Sequence, residues 1–168
     1  MGQASGATPA WLGWRRHRMG GNVMIVRAVA VADQAAWEQL YAGYAAFYGV
    51  AQTDKMRATV WGWLMDAGHG TEGLVAEVDG VVVGLAHFRS FARPLSASVG
   101  GFLDDLFVGP EARGTGAAEA LVQGVADVGR KRGWTLIRWI TAEDNYRARG
   151  LYDRVAEKAK WVTYDIKL

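Results

Sequence analysis

The chain of 168 residues fits a single domain, and its 51% hydrophobic residues can form a substantial core. It has no cysteine, which excludes disulfides, thiolate catalysis and cysteine-ligated zinc. His17, His69 and His87 show no metal-ligand spacing, so no metal is expected, and no run approaches the ~20 apolar residues of a membrane span.

The formal charge of +2 arises at the N-terminus, where residues 1–23 carry three arginines and no acid. Without those arginines the chain has 16 basic and 17 acidic residues, so no nucleic-acid partner is expected. The alternative that the protein binds nucleic acid is supported only by the basic N-terminal segment. We predict that residues 1–23 are a flexible N-terminal extension or follow an early start codon, and that residues 24–168 are the folded domain. An export signal requires an apolar run after its basic residues, and none follows Arg15-Arg16. Together with the lack of cysteine, this favours a cytoplasmic protein, and no membrane partner is expected.

The first half of the domain is predicted to contain a strand, two helices and a hairpin. The strand covers residues 24–29, Asp33 can cap a helix that runs to about residue 48, and Thr53 can cap another through about residue 65. Asp79-Gly80 lies between β-branched runs, which is a strong hairpin signal.

The second half alternates strands with helices. Strands are predicted over residues 102–108, 135–141 and 161–167, with helices over residues 114–132 and 145–155. The predicted fold class is therefore α/β, a single domain with a mixed, largely antiparallel sheet flanked by helices. The last strand has an exposed edge that could pair between subunits, which would give a homodimer.

The most informative segment is Arg113-Gly114-Thr115-Gly116-Ala117-Ala118, at the start of a predicted helix. A helix N-terminus carries unpaired N–H groups, and glycines let an anion approach the backbone closely. The segment lacks the last glycine of the dinucleotide fingerprint, the Gly-Lys-Ser/Thr of a P-loop and the serine of a nucleophile elbow. It therefore predicts an anion cradle of a different kind.

This run resembles the Arg/Gln-x-x-Gly-x-Gly/Ala signature of the GNAT superfamily N-acetyltransferases, and Leu106-Phe107-Val108-Gly109-Pro110 is similar to the strand that precedes it. The resemblance implies the GNAT-like acyl-CoA N-acyltransferase fold. It also implies acetyl-CoA as acyl donor, its pyrophosphate on the cradle and its pantetheine arm paired with a splayed strand. The implied cofactor-binding residues are Leu106, Phe107, Val108, Arg113, Gly114, Thr115, Gly116, Ala117, Ala118, Asn145 and Ala148.

Asn145, Ala148 and Tyr152 are spaced three and four apart, so they share one face of a helix. The resemblance maps Asn145 to a contact with the CoA arm and Tyr152 to the general acid that protonates the leaving thiolate. A phenol suits that role because it is protonated at neutral pH. The alternative is that Tyr152 is a core aromatic residue with a hydrogen-bonded hydroxyl.

The run Leu103-Asp104-Asp105-Leu106-Phe107-Val108 resembles the Leu-Glu-Asp-Phe-Tyr-Val run of diamine (spermidine/spermine) acetyltransferases. By that match Asp104 takes the position of the catalytic base, acting through water, and Asp105 attracts the cationic amine. Asp104 is one methylene shorter than the family's glutamate. Adjacent strand residues point to opposite faces, so the two carboxylates are not expected to line the same wall. Alternatively, the pair simply solvates a strand edge.

Four aromatic residues, Trp37, Tyr41, Tyr44 and Tyr48, fall on one face of the first helix. Such a stripe either packs in the core or forms an acceptor wall that holds an ammonium by cation–π contact; Trp37, Tyr41 and Tyr44 are the substrate-binding candidates. Trp139 is expected to pack in the sheet, and His87 is expected to be structural or to lie at the surface.

The function implied by the resemblance is direct transfer of an acetyl group from acetyl-CoA to a primary amine of a small acceptor, either a polyamine-like amine or an amino acid. No cysteine is available for an acyl-enzyme, and a backbone N–H near Phe107 would polarise the thioester. Two alternatives stay open: a protein or peptide N-acetyltransferase, and a non-catalytic acyl-CoA-binding regulatory module that would not need Tyr152 or Asp104.

Overall fold

The computed structural model describes residues 15–19 and 22–168. Its strands are β1 (Arg15–Met19), β2 (Asn22–Ala28), β3 (Thr71–Val78), β4 (Val81–Arg93), β5 (Ser98–Val108) and β6 (Ile137–Arg138). Its helices are α1 (Gln34–Phe47), α2 (Asp54–Met65), α3 (Ala117–Lys131) and α4 (Tyr146–Val155), with short 3-10 turns at Val31–Asp33, Pro94–Ser96 and Pro110–Ala112. The predicted α/β class and single-domain mixed sheet are confirmed.

The strands form one six-stranded sheet in chain order, antiparallel throughout except for the parallel pair β5–β6. The predicted hairpin joins β3 to β4. Both of its turn residues have positive φ, 48° at Asp79 and 85° at Gly80, as a two-residue type I′ turn requires. Short connections therefore join the antiparallel pairs β1–β2, β3–β4 and β4–β5, whereas α1 and α2 lie between β2 and β3.

Helices cover both faces of the sheet. On one face α3 buries apolar side chains that recur at helical spacing, including Leu121, Val125 and Val128, against β2 to β5. On the other face α1 and α2 bring Trp37 and Trp61 together over the sheet. No helix in the described part of the chain is long and apolar enough to cross a membrane.

The caps of the first two helices differ from each other. Thr53 caps α2 as predicted, because its Oγ1 accepts a hydrogen bond of 3.2 Å from the Met56 N–H. The prediction for Asp33 is wrong in detail: its buried carboxylate accepts from Arg27, at 2.5 and 2.7 Å, and from the Ala30 N–H at 2.8 Å. Asp33 therefore links the start of α1 to β2 through its ion pair with Arg27, and its side chain does not cap the helix.

The C-terminal third departs most from the prediction. The strand expected over residues 135–141 is reduced to Ile137–Arg138, and the strand expected over residues 161–167 is wrong, since the chain there has no regular structure. Its apolar side chains are exposed, with Trp161 at 81% and Ile166 at 88%, and alternation alone does not make a strand without a neighbouring strand to pair with. The homodimer expected through this edge stays a prediction.

At the N-terminus, β1 pairs with β2 inside the segment for which the sequence predicted a flexible extension. The remainder of that segment up to residue 21, namely residues 1–14 and 20–21, lies outside the described residues.

Candidate active site

The site begins where β5 and β6 separate. The two strands pair only at Gly101 and Phe102, whereas β5 continues to Val108. Beyond Phe102, this edge of β5 has no strand partner within the described part of the chain, which is the splay implied by the family resemblance. A cleft of about 830 Å³ opens there, between β5, the start of α3, the end of α1 and α4. That volume is within the range of ligand-binding clefts.

The cradle lies at one end of this cleft. Gly114 and Gly116 have φ values of 82° and 85°, a conformation that glycine adopts without strain. The N–H groups of Arg113 and Thr115 donate within the loop, at 3.3 and 3.4 Å, to the carbonyls of Pro110 and Ala112. The Thr115 hydroxyl also donates to Ala112 and does not line the cleft. The donors left for an anion are therefore the N–H groups of Gly114, Gly116 and the first turn of α3.

Three arginines, Arg113, Arg147 and Arg154, line the same cleft. The Arg113 guanidinium lies 5.9 Å from the centre of the Phe107 ring, and Arg154 faces Glu119 at 3.7 Å. The cleft thus combines aimed backbone donors with positive side chains, which suits a ligand carrying several phosphate charges.

Helix α4 brings Asn145, Ala148 and Tyr152 to the cleft, as the sequence spacing predicts. Asn145 caps the helix, because its Oδ1 accepts from the Ala148 N–H at 3.3 Å, and its Nδ2 donates to the Tyr48 hydroxyl at 3.4 Å. Burial, with a smaller contribution from Tyr48, raises the pKa of Tyr152 to about 12. Tyr152 is therefore a neutral phenol that can donate a proton.

The two carboxylates of β5 lie on one side of the sheet, so the prediction that they point to opposite faces is wrong, although only Asp104 of the two lines the cleft. His87 pairs with Asp105 and Phe88 pairs with Leu103, so Asp104 is an extra residue in β5. This β-bulge interrupts the alternation of side chains along the strand. Asp104 and Asp105 consequently contact two side chains of the same face of β4.

The environments of these carboxylates differ. Asp104 lines the cleft and accepts a hydrogen bond of 3.2 Å from Arg89; burial raises the pKa of Asp104, and Arg89 opposes the shift. The side chain of Asp105 is 22% exposed, and its Oδ2 lies 2.9 Å from His87 Nδ1 and 3.3 Å from the Tyr41 hydroxyl. Asp104 is paired with a cation, whereas the partners of Asp105 are an imidazole and a phenol.

The aromatic stripe of α1 is divided between the core and the cleft. Trp37 is only 1% exposed and packs on Trp61, so it cannot contact a ligand directly. Tyr41 lies against Asp105, while Tyr44 and Tyr48 line the cleft. Burial, followed by the charge of Asp105, raises the pKa of both Tyr41 and Tyr44, so that both phenols stay protonated and can donate.

A model of the Acetyltransferase (GNAT) family matches residues 37–156, which is more than half of the chain. The protein belongs to this family. It is 26% identical over 143 residues to the D-amino-acid N-acetyltransferase HPA3 of Saccharomyces cerevisiae, covering 84% of this chain and 89% of that relative.

Solved structures agree on the fold of this acetyltransferase. A ribosomal-protein-alanine N-acetyltransferase from Brucella melitensis biovar Abortus 2308 superposes with a TM-score of 0.73 at 26% identity, covering 86% of this chain and 99% of that one. An aminoglycoside N-acetyltransferase in complex with CoA gives a TM-score of 0.75 at 20% identity, covering 91% and 96%. The diamine acetyltransferases that β5 resembles are not among these relatives.

The sequence did not identify several residues near the cleft of this acetyltransferase. Trp139 leaves the sheet and meets the Tyr152 ring edge-on, with 5.3 Å between ring centres, because β6 ends one residue earlier. Arg147 and Arg154 are seven residues apart on α4, a spacing that places them near the same helix face and could have revealed them. Nothing in the sequence marked His87, which does not line the cleft but is buried with its Nδ1 2.9 Å from Asp105 Oδ2. Among the described residues there is no group of three or more His, Asp or Glu that could hold a metal.

Proposed function

We propose that this acetyltransferase transfers the acetyl group of acetyl-CoA directly to the primary amine of a small cationic acceptor. The observation that carries the proposal is the arrangement around β5. Its open edge runs from the carboxylates to the anion cradle, with a protonated tyrosine across the same cleft.

The residues present fit acetyl-CoA as the acyl donor. The free N–H groups of Gly114, Gly116 and the first turn of α3 would bind the pyrophosphate, with Arg113, Arg147 and Arg154 adding positive charge. The unpaired edge of β5 offers Leu106 and Val108 to the amide groups of the pantetheine arm. Acetyl-CoA supplies the activated thioester in this reaction.

The chain supplies the proton transfers. An ammonium acceptor loses two protons as the carbon–nitrogen bond forms and the carbon–sulfur bond breaks. Asp104, through water, takes the first proton so that the amine can attack, and Tyr152 gives a proton to the departing thiolate. The second proton from the nitrogen returns Tyr152 to its starting state, and the first is released to solvent. A backbone N–H near Phe107 stabilises the oxyanion.

The acceptor class follows from Asp105 and the phenols around it. Asp105 carries a negative charge beside Tyr41, which suits an ammonium group. The D-amino-acid N-acetyltransferase relative supports an amino acid, and the resemblance of residues 103–108 to diamine acetyltransferases supports a polyamine-like amine. The ribosomal-protein-alanine relative at 26% identity favours a second candidate, the α-amine of a peptide.

The proposal is tested by measuring thiol release from acetyl-CoA against a panel of amines. The panel contains spermidine, D- and L-amino acids, an aminoglycoside and a peptide with N-terminal alanine, and mass spectrometry identifies the acetylated nitrogen. We expect release with at least one small amine and a mass increase of one acetyl group on that amine.

Each arm of the panel has a defined meaning. Release with the peptide alone would replace the small-amine proposal by the peptide candidate. CoA binding measured by calorimetry, with no release from any amine, would overturn the proposed transfer and favour an acyl-CoA-binding module.

A further inference from the structure

A buried chain of polar side chains connects the core to Asp105. The Trp37 indole N–H donates to His87 Nε2 at 2.8 Å, and His87 Nδ1 lies 2.9 Å from Asp105 Oδ2. Trp37 is 1% exposed and His87 is 2% exposed, so water does not replace either contact. The chain ends at the partly exposed carboxylate, on the side of β5 that faces α1.

The hydrogen-bond geometry defines which ring nitrogen of His87 carries the proton. An indole N–H can only donate, so His87 Nε2 must accept and carries no proton. The ring proton therefore lies on Nδ1, which donates to the Asp105 carboxylate. His87 is a neutral donor fixed in one tautomer, because Trp37 excludes the other.

This arrangement orients Asp105 without cancelling its charge. The partners of Asp105 Oδ2, His87 and Tyr41, are both neutral donors, and Tyr44 beside the carboxylate is a phenol as well. No arginine or lysine in the described part of the chain is seen to form an ion pair with Asp105. The neighbouring Asp104 is different, because Arg89 balances its charge. Of the two carboxylates, Asp105 is thus the one whose charge is available to a cation.

The surroundings of His87 argue against a purely structural role. The cluster on this face consists of Trp37, Trp61, Leu85 and Phe107, and burying polar groups among such side chains is costly unless each is paired. Apolar residues at both positions 37 and 87 would avoid that cost. The benefit of this chain of hydrogen bonds lies at its partly exposed end, where His87 fixes the orientation of the Asp105 carboxylate.

We infer that His87 is a positioning residue for the acceptor: held by Trp37, it fixes the orientation of the Asp105 carboxylate so that this group meets the ammonium of the amine. The inference rests on the proposed function and adds to it the residue that sets acceptor affinity. It assigns Trp37 an indirect role, through His87, in place of direct contact with the substrate.

The test compares four variants with the wild type, using the amine that the panel identifies. His87→Leu removes both hydrogen bonds, and His87→Asn keeps a donor near the Nδ1 position. Trp37→Phe removes the N–H that selects the tautomer together with part of a buried ring system. Leu85→Val is the matched control, since Leu85 is fully buried two residues away on the same strand and in the same cluster. The KM for the acceptor, the KM for acetyl-CoA, kcat and Tm are measured for each.

We expect His87→Leu to raise the acceptor KM about tenfold or more, because it removes a hydrogen bond to a charged group, with the KM for acetyl-CoA unchanged. His87→Asn should recover most of this loss, and Trp37→Phe should give an intermediate value. Leu85→Val should lower Tm without altering the acceptor KM. Nitrogen-15 NMR of the wild type should show the His87 ring protonated at Nδ1 and bare at Nε2, whether or not substrates are present.

The failures can be told apart. If the wild type acetylates no amine, the proposed function is overturned and this inference with it. If the wild type is active but His87→Leu and Leu85→Val have the same acceptor KM, or if Nε2 carries the ring proton, the inference alone is overturned.

Discussion

At the scale of single residues, the acid pair of β5 illustrates how one inserted residue changes the chemistry of a strand. In a regular strand Asp104 and Asp105 would face opposite sides of the sheet. The bulge at Asp104 brings both carboxylates to the side of β4 that carries His87 and Arg89. One side of the sheet therefore presents a carboxylate whose charge is balanced and another whose charge is free.

The pH dependence of kcat should show the effect of Arg89 on the pKa of Asp104. A general base acts only when deprotonated, so activity falls as the pH drops through its pKa. Because Arg89 lowers the pKa of Asp104, Arg89→Gln should raise that pKa and move the ascending limb of kcat against pH to higher pH. Arg93→Gln is the control: Arg93 lies on the same strand, but its guanidinium donates to Thr135 at 2.7 Å. Identical profiles for the two variants would exclude Asp104 as the base.

Tyr152 should matter for turnover and little for folding. Its pKa of about 12 keeps the phenol protonated at ordinary pH, so the wild type should show no alkaline loss of kcat from this group until the pH nears that value. Tyr152→Phe should lower kcat about ten- to a thousand-fold, with Tm almost unchanged, because the proton donor to the thiolate is gone. Tyr146→Phe on the same helix is the control, since that side chain is exposed and does not line the cleft. A fully active Tyr152→Phe variant would contradict this role.

At the scale of elements, the cradle depends on backbone conformation more than on side chains. Gly114 and Gly133 both have positive φ, 82° and 70°, and a Cβ at either position would meet no atom within 4 Å. Alanine at each should therefore cost about 1 kcal/mol of stability through backbone strain alone. Only Gly114 lines the cleft, so only Gly114→Ala should also raise the KM for acetyl-CoA. Equal KM values for the two variants, measured alongside their Tm, would argue against the cradle as the phosphate site.

The elements that the sequence predicts well are those with local signals. Asp79-Gly80 specifies the hairpin through its own backbone conformation, and Thr53 caps α2 through a hydrogen bond from Met56, three positions away. The spacing of Asn145 and Tyr152 likewise places both on one side of α4. The bulge at Asp104 depends on which β4 residues lie opposite, and no local pattern contains that information. His87 was missed for the same reason, since its partners lie 50 and 18 positions away.

At the scale of the whole molecule, the shortness of β6 bears both on the candidate active site and on the failed prediction of a strand over residues 161–167. Residues 161–167 have the alternation of a strand, but a strand needs a neighbour, and β6 extends over only two residues beside β5. The same short β6 leaves the edge of β5 free beside the cradle. The short β6 thus exposes the cleft and offers only two residues with which a further strand could pair.

Because the cleft is lined by parts of β5, α1, α3 and α4, a ligand that fills it should stabilise the entire fold. A ligand that binds only the folded state at 100 times its Kd adds about 2.7 kcal/mol to the free energy of unfolding. For a domain of this size each kcal/mol raises Tm by about 2–4 °C, so saturating acetyl-CoA should raise Tm by roughly 5–10 °C. The acceptor amine alone, which reaches only the β5–α1 side, should raise Tm by less. Thermal unfolding followed by circular dichroism measures both, with Gly114→Ala as the control that needs a higher acetyl-CoA concentration for the same shift. An unchanged Tm at 100 times the Kd of acetyl-CoA would contradict its binding to the folded state, and identical concentration dependence for wild type and Gly114→Ala would mean that the donor binds outside this cleft.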